Sequence, residues 1–146
     1  MEKRKKIKEK KLYLALGKST KLIRERFNKI LEQSPYKISF EQWLILDQIG
    51  MQSGISQKGI VNFLHKEPAS VSRMVNKLFE KHLLIKNPNP SDKKAYQLFL
   101  SDKGHRLFES MKPHFDNEFR EIFNNIYERE LNLIISILDR LEKSLS

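Results

Sequence analysis

Three prolines and one serine leave residues 56–100 few ways to fold. Ser56 suits the N-cap of a short helix, because a serine hydroxyl accepts from the open N–H groups of a first turn. The helix it starts turns Ile60, Val61 and Leu64 inward. Gly59 within it costs about 0.8–1 kcal/mol against alanine, or admits the close approach of another backbone. His65, Lys66 and Glu67 make a tight link. Pro68 then stands in the first turn of a second helix, running to about Lys81, where a proline forfeits no hydrogen bond. Residues 83–86 and 95–100 read as strands, and Pro88 and Pro90 keep the loop between them out of the ladder. The tip at 89–94 is polar and basic, free to project. The expected unit is a helix, a turn, a second helix and a basic hairpin.

The second helix is the chemically informative one. Val71, Met74, Val75, Leu78 and His82 share its inward face, and a turn of 3.6 residues sets Ala69, Arg73 and Asn76 opposite, flanked by Ser70, Ser72 and Lys77. These residue types suit base edges in double-stranded DNA. Arg73 can donate two bonds to guanine, or clamp a phosphate if it sits too high, Asn76 can pair with adenine, and Ala69, Ser70 and Ser72 suit thymine methyls or phosphates. Such a helix enters the major groove N-terminus first, where its positive dipole end favours phosphate. Lys77 belongs to the same surface. Gln57 and Lys58, at the start of the preceding helix, suit the sugar–phosphate backbone, and Lys93 and Lys94 at the hairpin tip suit the neighbouring minor groove or its phosphates.

Charge supports that partner. The formal net charge of the 146 residues is +10, and it is unevenly spread. Residues 1–11 carry +5 and residues 56–94 another +5, while 12–55 and 95–146 cancel at +2 and −2. Excess positive charge confined to an N-terminal arm and to the helix–turn–helix–hairpin stretch is the footprint of a polyanion binder.

The remaining chain is helical by its periodicity. Over residues 6–33, Leu12, Leu16, Ser19, Ile23, Phe27 and Ile30 mark one face, read as core, which Tyr13, Leu22 and Leu31 widen; so wide a stripe on a terminal helix also suits packing against a second chain. Pro35 is the expected stop. Ser39 and Gln42 form a capping box for a helix that carries Trp43, Leu44, Leu46 and Ile49 and ends near Gly50. Ser101 starts another helical region in which Pro113 should cause a kink or a restart. After a break near Asn124 and Asn125, a last helix over 128–145 has a broad apolar face, Leu131, Ile134, Ile135, Leu138, Leu141 and Leu145, with Leu133 and Ile137 beside it. So wide a surface on a terminal helix argues for burial by a partner subunit.

Several function classes are excluded as expectations. With no cysteine there is no disulfide, thiolate metal site or thiol redox chemistry. No apolar run approaches the roughly 18 residues of a membrane span, and the N-terminus lacks a secretory core, so a cytoplasmic location without membrane contact is expected. No nucleophile–base–orienter set, phosphate loop, cofactor motif or metal pair appears, and no catalytic or metal residue is assigned. His114 and Glu118 share a helical spacing that reads as a surface pair. Tyr13, Phe40 and Trp43 are candidates for lining a small-molecule cavity between helices, though aromatics at these spacings also serve as core.

The local strings, taken in order, resemble the MarR/SlyA family of winged-helix transcriptional regulators. Ser56 and Gln57 with Ile60, Val61 and Leu64 are similar to the family's first helix of the pair. Ser70-Val71-Ser72-Arg73 matches its recognition-helix start, and Leu78-Phe79-Glu80-Lys81-His82-Leu83-Leu84 resembles the passage into the wing. Asp92-Lys93-Lys94, followed by residues 98–104, resembles the Asp-x-Arg wing and its exit, which brings Asp92 into the expected DNA-binding set. The likeness spans nearly the whole chain. It implies a mainly α fold with a small β-hairpin, a winged helix-turn-helix lobe at 36–99 embedded in a helical dimerisation frame of 1–35 and 100–146. It also implies a homodimer on a pseudo-palindromic operator with half-sites about one helical turn apart, and most often repression relieved by a small aromatic or anionic effector.

Two departures bear on the site. Lys94 stands where the family usually has an arginine, keeping the charge but losing the planar fork. His82 stands where a glycine commonly closes the recognition helix, and a left-handed backbone there is less favourable for histidine. Two other classes fit the same residues: a protein-interaction module, such as a heterodimerising antagonist of a related regulator, and a metal or small-molecule sensor.

Overall fold

The computed structural model describes residues 1–146, the side chains of Lys93 and Lys94 excepted. Six helices and one hairpin follow in order: α1 (Glu2–Leu31), α2 (Phe40–Met51), α3 (Gln57–Leu64), α4 (Pro68–Glu80), β1 (Leu84–Asn89), β2 (Asp92–Leu100), α5 (Asp102–Ile122) and α6 (Glu128–Leu145). The chain divides into two compact units, Met1–Pro113 and His114–Ser146. No helix among the described residues is long and apolar enough to cross a membrane.

In the first unit the core gathers Phe27 and Leu31 from α1, Trp43, Ile45, Leu46 and Ile49 from α2, Ile60 from α3, and Val71, Val75 and Leu78 from α4. Leu84, Leu98 and Leu100 of the hairpin and Leu107 of α5 are also buried. The capping box is present as read: Ser39 Oγ accepts from Gln42 N–H at 3.2 Å, and Gln42 Oε1 accepts from Ser39 N–H at 2.8 Å. Asn28 Oδ1 accepts from Phe40 N–H at 2.9 Å and Arg24 pairs with Glu41 at 3.0 Å, so α1 and α2 are tied at both polar and apolar levels.

The apolar face of α1 is core only at its C-terminal end. Leu12, Tyr13 and Leu22 are 50%, 76% and 53% exposed, a correction to the core reading of that stripe. A helix of 30 residues is about 45 Å long, and only its last turns meet α2 through Phe27 and Leu31. α1 ends at Leu31, before Pro35, by tightening: Gln33 N–H bonds Ile30 O and Ser34 N–H bonds Leu31 O. The helix does not restart at Pro113; α5 continues through it, with the proline inside the helix. In the second unit α6 has no buried residue, and Leu133, Ile134, Ile135, Ile137, Leu141 and Leu145 are exposed.

The wing is longer than its prolines imply. Pro88 lies within β1 opposite Tyr96, and the strands reach Asn89 and Asp92. The reason is a hydrogen-bond alternation. Leu98 uses its N–H and carbonyl on the far side, to Ile55 O at 2.9 Å and Gly54 N–H at 2.8 Å. Its pair with Lys86 is therefore a non-hydrogen-bonded one, and so by alternation is Pro88 with Tyr96. A missing N–H at that position removes nothing from the ladder. Asn89 Oδ1 accepts from Ser91 N–H at 2.9 Å, closing the turn around Pro90 and Ser91, and the register slip leaves positions 93–95 unmatched on β2.

His82 is not on the inward face of α4; it is exposed, beyond the helix end, with φ +61°. Its N–H bonds Phe79 O and the next N–H, of Leu83, bonds Leu78 O, the pair of bonds that closes a helix around a left-handed residue. A left-handed L-residue costs about 1–2 kcal/mol, partly offset in a glycine variant by backbone entropy. His82→Gly is expected to raise stability by roughly 0.5–1 kcal/mol in urea melts; a loss of stability would mean that the imidazole itself supports the corner.

Candidate nucleic-acid interface

α4 is oriented by what it buries. Val71, Val75 and Leu78 are almost wholly enclosed, so Ala69, Arg73 and Asn76, half a turn away, are exposed, with Lys77 exposed beside them. Ser70 and Ser72 are half-buried. Arg73 Nη2 donates to Ser70 Oγ at 3.1 Å, which makes Ser70 a brace for the guanidinium as well as a surface group. A guanidinium has five N–H donors, and this brace uses one. Glu67, the N-cap, makes no side-chain capping bond, and Pro68 occupies the first turn.

α3 is set against the hairpin by a short piece of extended chain. Ser56 bridges Gln97 in antiparallel fashion, next to the two Leu98 bonds. Ser56 Oγ accepts from Gly59 N–H at 3.0 Å, as its cap role requires. Gly59 is there for a side chain rather than a backbone: a Cβ would lie 2.7 Å from Ile55 Cγ1. Ile55 folds under the first turn, and Gln57 (half-buried) and Lys58 (exposed) come to stand beside β2.

Between these elements lies a groove of about 400 Å³. Gln57 and Lys58 from α3, Asn76 and Phe79 from α4, and Lys86 and Tyr96 from the hairpin line it. Three expected residues, Gln57, Lys58 and Asn76, are thus brought together. Ala69, Ser70, Ser72, Arg73 and Lys77 belong to α4 but not to the groove lining. Asp92 is exposed at the start of β2. The side chains of Lys93 and Lys94 lie outside the described residues. Lys86, Phe79 and Tyr96 are not among the expected residues; the signal for Lys86 and Tyr96 is the strand period of two, which aligns Lys86 with buried Leu84, but it needs the register, and the wing prolines concealed that.

Within one chain the three aromatic candidates for a small-molecule cavity are not gathered together. Phe40 stacks on Phe27 with centroids 4.4 Å apart and planes 5° apart, and Trp43, 2% exposed, lies 6.2 Å from the Phe108 ring. Both are core. Tyr13 is exposed and precedes Phe27 by 14 positions on the same helix, about 21 Å at 1.5 Å per residue. No group of three or more His, Asp or Glu suited to a metal ion occurs among the described residues.

Residues 38–96, which hold α2, α3, α4 and most of the hairpin, match the family model described as the MarR family. An uncharacterized HTH-type transcriptional regulator of Bacillus subtilis, YhbI, is 22% identical over 127 residues, 86% of this chain and 82% of its own. A MarR/EmrR family transcriptional regulator from Acinetobacter sp. ADP1 superimposes with a TM-score of 0.82 at 21% identity, covering 94% of this chain and 96% of that one. S. aureus MepR, in a structure that is a complex with DNA, gives 0.77 at 24% identity, with 92% and 96% covered. At such identities the two structures establish the fold.

Removing a stacked core aromatic leaves a cavity as well as losing its burial, typically about 3–5 kcal/mol for Phe→Ala. Phe40→Ala is therefore expected to lower the urea midpoint by an amount in that range, and Tyr13→Ala is expected to leave the folding of the first unit unchanged. Equal effects of the two substitutions would mean that Tyr13 is covered in solution as Phe40 is.

Proposed function

We propose that the chain is a transcriptional regulator of the MarR family, whose model matches residues 38–96, and that it is a homodimer that reads a pseudo-palindromic operator in double-stranded DNA. The observation that carries the reading is the outward face of α4. Ala69, Arg73 and Asn76 are exposed on one side of a helix whose other side is locked in the core, with Arg73 braced by Ser70. Arg73 is the guanine reader, Asn76 the adenine reader, and Ala69 and Ser72 approach methyls or phosphates. Gln57, Lys58 and Lys77 hold the sugar–phosphate backbone, and Asp92, Lys93 and Lys94 make up the wing's contribution. The DNA-bound MepR structure of the same fold supports the choice of partner.

The dimer is supported by the exposed apolar residues of α1 and α6, Leu12, Leu14 and Leu22 on one and Ile134, Ile135 and Leu141 among those on the other. In this reading residues 1–35 and 100–146 pair between copies and residues 36–99 form the reading lobe. Half-sites then lie about one helical turn apart. Repression relieved by a small aromatic or anionic effector, in the cytoplasm, completes the proposal and rests on the family likeness, with Tyr13, Phe40 and Trp43 as the candidate lining residues.

Arg73→Ala is expected to remove the preference for operator over unrelated duplex while leaving the dimer intact by sedimentation. Each good bidentate base contact is worth about 1–3 kcal/mol of discrimination, and two half-sites double that. Unchanged operator affinity in a mobility-shift assay would sink the assignment. Wild-type binding should also fall steeply with salt; a flat dependence would contradict phosphate contact altogether.

A further inference from the structure

Two cations face the groove beside α4, Lys58 from α3 and Lys86 from β1, and neither has an acid partner among the described residues. The hairpin face that carries Lys86 changes character along its length. Leu84 opposite Leu100 is buried at the root, Lys86 opposite Leu98 comes next, and Pro88 opposite Tyr96 lies beyond. Lys86 Nζ stands 4.8 Å from the Tyr96 ring centroid and 5.7 Å from that of Phe79. Two ring faces attract an ammonium without accepting a conventional hydrogen bond or neutralising its charge. Its position is held while its three N–H donors remain open among the described residues.

We propose that this groove seats one sugar–phosphate strand of the bound duplex and that Lys86 grips a phosphate of that strand. The inference rests on the DNA-binding reading. When α4 occupies the major groove and the wing reaches the adjacent minor groove, the strand separating the two grooves has to pass between α4 and the hairpin. The groove is that passage: Asn76, one turn from Arg73 on the outward side of α4, is on one wall, and Lys86 and Tyr96 are on the other. Lys58 enters from the α3 end, so positive charge lies on two sides of the path. A phosphate meets Lys86 whatever the base sequence, so the residue adds affinity and salt dependence without readout.

The test compares Lys86→Met, which keeps a long side chain between the rings and removes the charge, with Lys86→Arg, which keeps the charge. Operator and unrelated duplexes are titrated over a range of salt concentrations. Lys86→Met should make the slope of log affinity against log salt shallower by about 0.9 per lobe engaged, with a loss of roughly fivefold per lobe at about 0.15 M salt, equal on both duplexes. Lys86→Arg should behave as wild type. A wild-type slope in Lys86→Met, or a loss confined to the operator, overturns the inference. Operator duplexes with single neutral methylphosphonates supply a second measurement. One phosphate per half-site should lower wild-type affinity when neutralised and leave Lys86→Gln unaffected; no such position would overturn the proposal even if Lys86→Met failed to fold. A wild-type chain that binds no duplex defeats the DNA reading as well, whereas steep wild-type binding beside an unaltered Lys86 variant defeats this inference alone.

Discussion

The corner at His82 and Leu83 is the constraint on which the lobe depends. Leu83 N–H closes α4 by bonding Leu78 O, and Leu83 O accepts Ser101 N–H at 3.0 Å. His82 O accepts the Ser101 hydroxyl at 2.6 Å, and the same hydroxyl caps α5 by accepting from Gly104 N–H at 2.9 Å. Residue 104 has to be glycine because a Cβ would run into the Leu83 carbonyl. One cluster of bonds therefore ends α4, holds both ends of the hairpin and starts α5. Leu83 is fully buried, and an unpaired buried backbone group costs about 1–3 kcal/mol, so α4 cannot rotate relative to the wing without breaking several of these bonds together. The left-handed backbone of His82 is tolerated because the corner is over-determined.

Charged groups in the first unit divide by what they meet. Arg24 with Glu41 and Lys112 with Asp47 tie α1 and α5 to α2, at the modest worth of exposed or half-exposed pairs, about 0–1 kcal/mol each. Lys58, Lys77 and Lys86 have no such acid among the described residues, and Arg73 is held by a hydroxyl. Neutral braces are the informative feature. A carboxylate beside Arg73 or Lys86 would fix the side chain equally well, but it would also repel phosphate. Serine and aromatic rings position the cation and leave its charge to act outward. In the proposed complex that charge is what the duplex meets first.

Much of the lobe was legible in the residues themselves, because its signals are local. Ser39 with Gln42, Ser56 and Pro68 each specify a helix start within three residues, and the apolar period of Val71, Val75 and Leu78 fixes which side of α4 faces out. What escaped was set by register or by distance along a helix. Pro88 reads as a strand breaker until the bonding of Leu98 shows that its missing N–H is not needed. Lys86, Phe79 and Tyr96 come from three elements, and no spacing in the chain brings them together. Tyr13 shares a stripe with Phe27, yet periodicity says which side a residue faces and not whether anything covers it. His82 extends the inward period of α4 by one turn, but the helix has already closed.

Base reading also needs an axial position on the duplex accurate to about one base-pair step, 3.4 Å. A helix that offers one arginine and one asparagine cannot fix that position by base contacts alone. A phosphate seat beside the helix sets its phase and tilt against the base-pair steps, because phosphates recur once per step along each strand and the corner at residues 82–83 holds the seat at a fixed offset from Arg73. The choice among steps stays with the base contacts. Lys86 sits in β1 close to that corner, whereas positions 93–95 lie beyond a register slip. Of the hairpin's cations, Lys86 is thus the one whose offset from α4 is set by continuous pairing. On this view the root of the wing sets the phase, α4 chooses the step, and the tip of the wing contributes charge whose exact placement matters less.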